Sequence, residues 1–223
     1  MKKGLLKEGL LKYFSGVILL GALLFLPAGT LAWKNAWLMM ILLFVPMLIA
    51  GIVMYFKAPD LLKSRLNAKE TQGEQKTVIL MSGLMFLAAF ILAGLNFRYK
   101  WITVPLWTVI TGAAVFVLAY ALFGEVLREN AYLSRTISVR EGQKVVDTGL
   151  YGVVRHPMYS ATVLLFLSMP VILGSPLSLV VMLAYIPIIV KRILNEEEVL
   201  KKELEGYESY MEKVRWRLIP HLW

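Results

Sequence analysis

Three side chains in the C-terminal part of the chain have the types and spacings that chemistry requires. His156 precedes Pro157 in the run VVDTGLYGVVRHPMY (145–159), which also carries Tyr151 and Tyr159. Arg192 and Glu196 stand four residues apart in KRILNEEEVL, so on a helix they share one face. An arginine fork takes two oxygens of a carboxylate at once. A glutamate accepts hydrogen bonds or a proton, and a histidine can serve through either ring nitrogen. Each also has an ordinary reading. A histidine before proline can bond locally at a helix entry, and Arg192 with Glu196 can be a routine ion pair, although arginine preceding glutamate is the weaker order. Tyr151, Tyr159, Tyr207 and Tyr210 can form the aromatic belt found where membrane meets water.

The composition says where these residues must work. Of the 223 residues, 58% are hydrophobic and only 17% charged, with a mean hydropathy of +0.66. A soluble domain carries about 25% charged residues. The chain is therefore expected to be an integral membrane protein, one structural domain with the lipid bilayer as its first partner. Its net charge is +9, but the basic residues sit at the ends of apolar runs rather than on one stripe, so no nucleic-acid partner is expected. There are no cysteines, and the two histidines stand at 156 and 221, so no metal site is expected either. Lys2, Lys3, Lys7 and Lys12 precede the first apolar run in the manner of a signal peptide. That run is about 20 residues long against about 7–15 for a signal, so it is expected to be a first transmembrane helix.

The positioning elements follow in order. Residues 14–33, 37–56, 78–97 and 102–127 each suit one transmembrane helix, with a kink at Pro27, a tight break at Lys34-Asn35 and a polar loop over 57–76. A polar connector, 128–158, follows. Its middle, 136–147, alternates around Glu141-Gly142 and is expected to be extended. Residues 162–190 are apolar throughout, too long for one ordinary helix and broken by Pro170 and Gly174-Ser175-Pro176. They predict a helical hairpin (159–193) of half-length arms, continuing past Val190 as a helix in water until Pro220. The expected fold is thus an all-α integral membrane protein with four transmembrane helices and a C-terminal helical hairpin, divided into 1–100 and a second half, 101–223. With a cytoplasmic N-terminus, 21 of the 24 Lys and Arg and all 15 acidic residues fall on the cytoplasmic side. That bias predicts cytoplasmic termini in a prokaryotic plasma membrane or an endoplasmic reticulum.

In order along the chain come Gly149-Leu150-Tyr151, Arg155-His156-Pro157-Met158-Tyr159, Arg192-Ile193, Glu196-Glu197, Tyr207-x-x-Tyr210 and Arg217-Leu218-Ile219-Pro220. Over about residues 124–223 this set resembles the isoprenylcysteine carboxyl methyltransferase family, and more loosely the related phospholipid methyltransferases. The resemblance implies S-adenosylmethionine as methyl donor, bound by Lys144, Val145, Val146, Tyr151, His156, Pro157, Met158, Tyr159 and Glu196. It implies Arg192 as the residue at the carboxylate of a lipophilic acceptor. Ser160-Ala161 stands where the family often has x-Gly, and the small alanine should still permit close helix approach.

Such chemistry needs little from the protein. Methyl transfer from a sulfonium is an in-line displacement, and a carboxylate nucleophile is already ionised, so the enzyme has only to hold the reacting atoms about 3–3.5 Å apart. An amine or phospholipid headgroup would instead need a base, in which case Glu196 or Glu197 must remove a proton. Two further readings stay open: a sterol-reductase-like enzyme using a nicotinamide cofactor, and a non-enzymatic membrane protein. The four N-terminal spans carry no charged residue away from their ends, which argues against an ion pathway.

Overall fold

The computed structural model describes residues 2–66, 73–133, 139 and 141–223. Among them the elements are helices: α1 (Lys2–Ala28), α2 (Lys34–Lys57), α3 (Pro59–Leu66), α4 (Gly73–Tyr99), α5 (Leu106–Glu129), a 3-10 turn (Gly149–Gly152), α6 (Pro157–Ile172), α7 (Pro176–Met182), α8 (Tyr185–Glu203) and α9 (Tyr207–Lys213). Five described stretches are long and apolar enough to cross a bilayer: Gly4–Ala28, Lys34–Lys57, Gln75–Tyr99, Leu106–Glu129 and Pro176–Glu203. Their outer faces expose large apolar side chains such as Ile18, Leu26, Leu118 and Val180, as a lipid-facing surface requires. The protein is an all-helical, multi-pass integral membrane protein.

Several boundaries differ from the sequence expectation. α1 begins at Lys2 rather than at residue 14, because its basic residues continue the helix beyond the apolar part. It stops at Ala28, where the Gly29 amide donates to the Phe25 carbonyl (3.0 Å) and closes the last turn. Pro27 lies in that last turn, so it accompanies the end of a helix rather than a kink within one. Lys34-Asn35 belongs to α2, and the break falls over 29–33 instead. The expected loop at 57–76 contains α3, which opens on Pro59 and Asp60, both favourable at a helix start. Residues 67–72 of that loop lie outside the described residues.

The hairpin breaks at Gly174-Ser175-Pro176, where Ser175 caps α7 by accepting from the Ser178 amide. Pro170 stays inside α6. Only the first arm is short. The second, Pro176–Glu203, spans 28 residues with a turn between α7 and α8, because the helix runs past Val190 into charged residues. It does not run to Pro220. The chain leaves the helix at Leu204, restarts as α9 and is non-helical from Val214. Glu141-Gly142 forms the expected turn, while residues 134–138 and 140 of the connector lie outside the described residues.

The bundle sorts its contents by polarity. At one end, loops are short and tied by a few bonds: Asn96 Nδ2 donates to the carbonyls of Ile102 (3.0 Å) and Gly174 (3.3 Å), and Trp33 stacks on Phe97. At the other end gather the start of α1, all of α3, the connector and the C-terminal segment. There Lys12 Nζ reaches the Leu66 carbonyl (2.6 Å) and Ser64 Oγ the Leu133 carbonyl (3.2 Å). The longest seam in the bundle is α5 against α6, and α4 lies against α1.

Gly94 sets the distance between α4 and α1. A Cβ there would sit 2.8 Å from the Leu24 carbonyl oxygen and 2.9 Å from Pro27 Cβ. Gly83, in the same helix, has nothing within 4 Å of a notional Cβ. Gly94→Ala should therefore destabilise the detergent-solubilised protein by roughly 1–3 kcal/mol through overpacking, whereas Gly83→Ala should not. Comparing their thermal unfolding midpoints with wild type checks this.

Candidate functional site

The site is built on a corner between α5 and α6. At the end of α5, Glu129 accepts from the Leu150 amide through both oxygens (2.9 and 3.2 Å). Gly149 has φ +56°, and a Cβ there would fall 1.9 Å from Glu129 Oε1, so a side chain would strain the backbone and push the Glu129 carboxylate off the Leu150 amide. The 3-10 turn then delivers Tyr151, and Pro157 starts α6 with a preset φ and no N–H to satisfy. His156 is left at the junction, buried.

The C-terminal segment straps this corner. The amides of Arg155 and His156 donate to the carbonyls of Trp216 (2.8 Å) and Arg217 (2.9 Å). Arg155 Nη1 adds bonds to the Val214 and Arg215 carbonyls, both at 2.8 Å. Ser160 Oγ donates to the Leu218 carbonyl (2.6 Å), and Tyr210 Oη to the Tyr151 carbonyl (2.7 Å). Ala161, the small residue beside it, is fully buried. On the outside, Lys213 Nζ lies 2.7 Å from Asp147 Oδ2 and holds that carboxyl below its ordinary pKa.

Beneath the strap lies a buried charge cluster. Glu197 is 2% exposed and takes three cationic or potentially cationic partners. Its Oε1 accepts from Arg155 Nε (2.8 Å), with Arg155 Nη2 also at 2.8 Å, and stands 3.2 Å from His156 Nε2. Its Oε2 accepts from Arg217 Nε at 2.9 Å. Charge-assisted bonds at these lengths offset the cost of burying the carboxylate.

Glu196, one residue earlier, faces a different space. It lines a pocket of about 100 Å³, partly open to solvent, together with Lys144, Val145, Val146, Tyr151, His156, Met158 and Tyr159. Asn130, Tyr132, Leu133, Gln143, Arg155, Leu200, Leu204, Tyr207 and Tyr210 complete the wall. Tyr159 Oη donates to Glu196 Oε2 (2.5 Å) and accepts from Arg192 Nε (2.9 Å). Arg192 Nη1 in turn donates to Gln75 Oε1 at 3.0 Å. A line of hydrogen bonds therefore runs from the pocket through Tyr159 and Arg192 to the first turn of α4. Burial pushes the hydroxyls of Tyr151, Tyr207 and Tyr210 well above the ordinary tyrosine pKa, which keeps them neutral donors near neutral pH.

Of the residues singled out in the sequence, eight thus share one pocket wall. Pro157 does not line it, being buried at the start of α6, and Arg192 stands behind Tyr159. The spacing argument had Arg192 and Glu196 on one face of a helix; in the fold the Tyr159 hydroxyl sits between them. Gln75, the buried pairing of Glu197 with Arg155 and Arg217, and the pocket role of Tyr207 escaped the sequence reading. Glu197 had a signal: Tyr185, Ile189, Ile193 and Glu197 repeat every four residues and form the buried stripe of α8. Gln75 had none, since only the tertiary fold brings α4 to this place.

Two comparisons bear on this site. Residues 107–205 match the family model for phospholipid methyltransferase, a stretch that runs from α5 through α8. The description of that family is of methyltransferases, whose methyl donor is S-adenosylmethionine. A Delta(14)-sterol reductase from Methylotuvimicrobium alcaliphilum is 23% identical over 134 residues. That match covers 53% of this chain and 31% of the reductase, so the chain spans about a third of that relative.

The residues present fit the methyl donor. Tyr207 Oη is buried in the pocket wall without a hydrogen-bond partner among the described residues, a donor that a ligand could satisfy. Glu196 offers acceptor oxygens of the kind that ribose hydroxyls or an amino group need, and Val145, Val146, Leu133, Leu200 and Leu204 supply an apolar wall for a flat base. Removing Glu197 should leave Arg155 buried with uncompensated charge. Glu197→Ala should cost roughly 3–5 kcal/mol of stability and loosen the strap, measured as a lowered unfolding midpoint and faster proteolysis between residues 204 and 223.

Proposed function

We propose that this protein methylates the carboxylate of a lipophilic acceptor at the cytoplasmic membrane face, in the manner of the isoprenylcysteine carboxyl methyltransferases. The observation that carries the choice of acceptor is the state of the acidic groups. Glu197 is engaged by Arg155, Arg217 and His156, and Glu196 receives the Tyr159 hydroxyl, so the pocket offers no carboxylate poised as a free base. A carboxylate acceptor needs none. When bound, S-adenosylmethionine supplies a methyl group activated on a sulfonium.

In this reading Glu196 and Tyr207 hold the donor, while Arg192 holds the acceptor's carboxylate. Tyr159 fixes Arg192 relative to Glu196 and so sets the in-line geometry. The apolar wall excludes water, which strengthens both sets of polar contacts. The excess of Lys and Arg on the pocket side supports a cytoplasmic placement. A phospholipid amine is the second reading, favoured by the description of the matched family. It would require Glu196 to give up its bond from Tyr159 and remove a proton.

Purified protein incubated with labelled S-adenosylmethionine and a lipid extract tests the choice. The carboxylate reading expects label that mild base releases as methanol. Label stable to base would transfer the assignment to the amine. Tight NADPH binding with no binding of S-adenosylhomocysteine would overturn both in favour of a reductase. Arg192→Ala should lower kcat/KM for the acceptor by roughly 10–100-fold, as expected for a lost charge-assisted hydrogen bond, while affinity for S-adenosylhomocysteine is retained.

A further inference from the structure

Gln75, in the first turn of α4, is fully buried at the end of the hydrogen-bonded line from the pocket. Its Oε1 accepts from Arg192 Nη1, and its Nε2 has no partner among the described residues. The amide cannot be turned round, because a guanidinium has only donors and must meet the oxygen. Two N–H bonds are thereby aimed away from Arg192 with nothing to receive them. A buried donor without an acceptor is costly and uncommon, and an apolar side chain would avoid the cost among these transmembrane helices. The arrangement makes sense when the missing acceptor arrives from outside the chain.

We infer that Gln75 is an acceptor-binding residue, its Nε2 hydrogen-bonding an oxyanion of the lipophilic substrate beside the Arg192 guanidinium. The inference rests on the methyltransferase reading above and specifies its second substrate. The ligand chemistry follows from the two groups. Arg192 and the free end of Gln75 are both donors, and one of them is charged, so together they suit an anionic oxygen centre with several lone pairs and repel an ammonium. A carboxylate and a lipid phosphate share that chemistry. Because Gln75 is enclosed, headgroup binding entails a shift of the first turn of α4 away from α8. The line through Tyr159 to Glu196 then ties the occupied oxyanion site to the donor pocket.

The test uses the detergent-solubilised full chain, with and without S-adenosylhomocysteine, titrated by native mass spectrometry. Hexadecanoate is the probe in one arm and lysophosphatidylethanolamine in the other. Wild type should bind one of them saturably, and the arm that binds identifies carboxylate or phosphate as the oxyanion. Gln75→Leu removes the donor. Gln75→Glu keeps an oxygen for Arg192 but replaces the N–H donor with a repelling oxygen. Both should weaken probe binding about tenfold or more, while S-adenosylhomocysteine occupancy stays within about twofold of wild type and so certifies the fold. Wild-type binding of the probe by Gln75→Glu would overturn the inference, leaving Gln75 only to position Arg192. So would equal loss of probe and S-adenosylhomocysteine in Gln75→Leu, or failure of wild type to bind either probe. Wild type that binds a probe but no S-adenosylhomocysteine would keep the oxyanion site and sink the methyl-transfer reading instead.

Discussion

Glu197 is the point on which the C-terminal half of this structure depends. A carboxylate buried to this degree in a membrane-embedded helix is tolerable only with its lone pairs filled, and here the partners come from two distant places. Arg155 and His156 arrive from the corner before α6, and Arg217 from the segment after α9. One buried charge thus obliges three separate parts of the chain to meet. The backbone pairing of 155–156 with 216–217 completes the junction, since the same residues that bring the charges also exchange main-chain bonds. Cationic partners held this way cannot drift without exposing the carboxylate to an apolar surrounding.

The membrane imposes the complementary constraint. Backbone polar groups at bilayer depth must be satisfied within helices, so irregular chain is confined to the two ends of the bundle. At the end with short connections there is little backbone to build with. The other end holds α3, the connector, α9 and the non-helical C-terminal segment, and the pocket forms among them. α8 links the two environments. Its buried stripe of Tyr185, Ile189 and Ile193 ends in Glu197, and turning by one residue brings Glu196 into the pocket. Neighbouring glutamates therefore do different work, one locking the scaffold and the other facing a ligand space, because helical rotation separates them by about 100°.

The fold was largely legible from residue patterns because lipid allows few solutions for long apolar runs. The break at Gly174-Ser175-Pro176 and the turn at Glu141-Gly142 were readable for the same reason, as local chemistry decides them. What escaped was decided by tertiary contacts. The C-terminal helix gives way at Leu204 although its pattern continues, since Tyr207, Tyr210 and Val214 bury themselves against the connector instead. Arg192 and Glu196 could be assigned to one helical face, but the Tyr159 hydroxyl between them comes from another helix, 33 residues before Arg192 and 37 before Glu196. Sequence spacing reports faces of one helix and is silent about what the next helix inserts between two residues on that face.

The two comparisons pull toward different chemistries, a methyl transfer and a hydride transfer, and the site explains why likeness alone cannot choose. A sheltered pocket at a membrane face, closed by a strapped corner and a buried charge cluster, can serve any cofactor that brings its own reactive group. Discrimination must come from the few groups that touch the ligand. Here those include one free tyrosine hydroxyl, one glutamate facing the pocket and a single lysine, Lys144. A nicotinamide dinucleotide phosphate carries several anionic phosphates and would call for a denser cationic lining. The arginine in this wall, Arg155, is already committed to Glu197 and two carbonyls. An adenosyl sulfonium asks for acceptor oxygens and an apolar slot, with one cation for its carboxylate. On that count the wall favours the methyl donor, and it does so through the same bond pattern that spends its arginine on holding Glu197 in place.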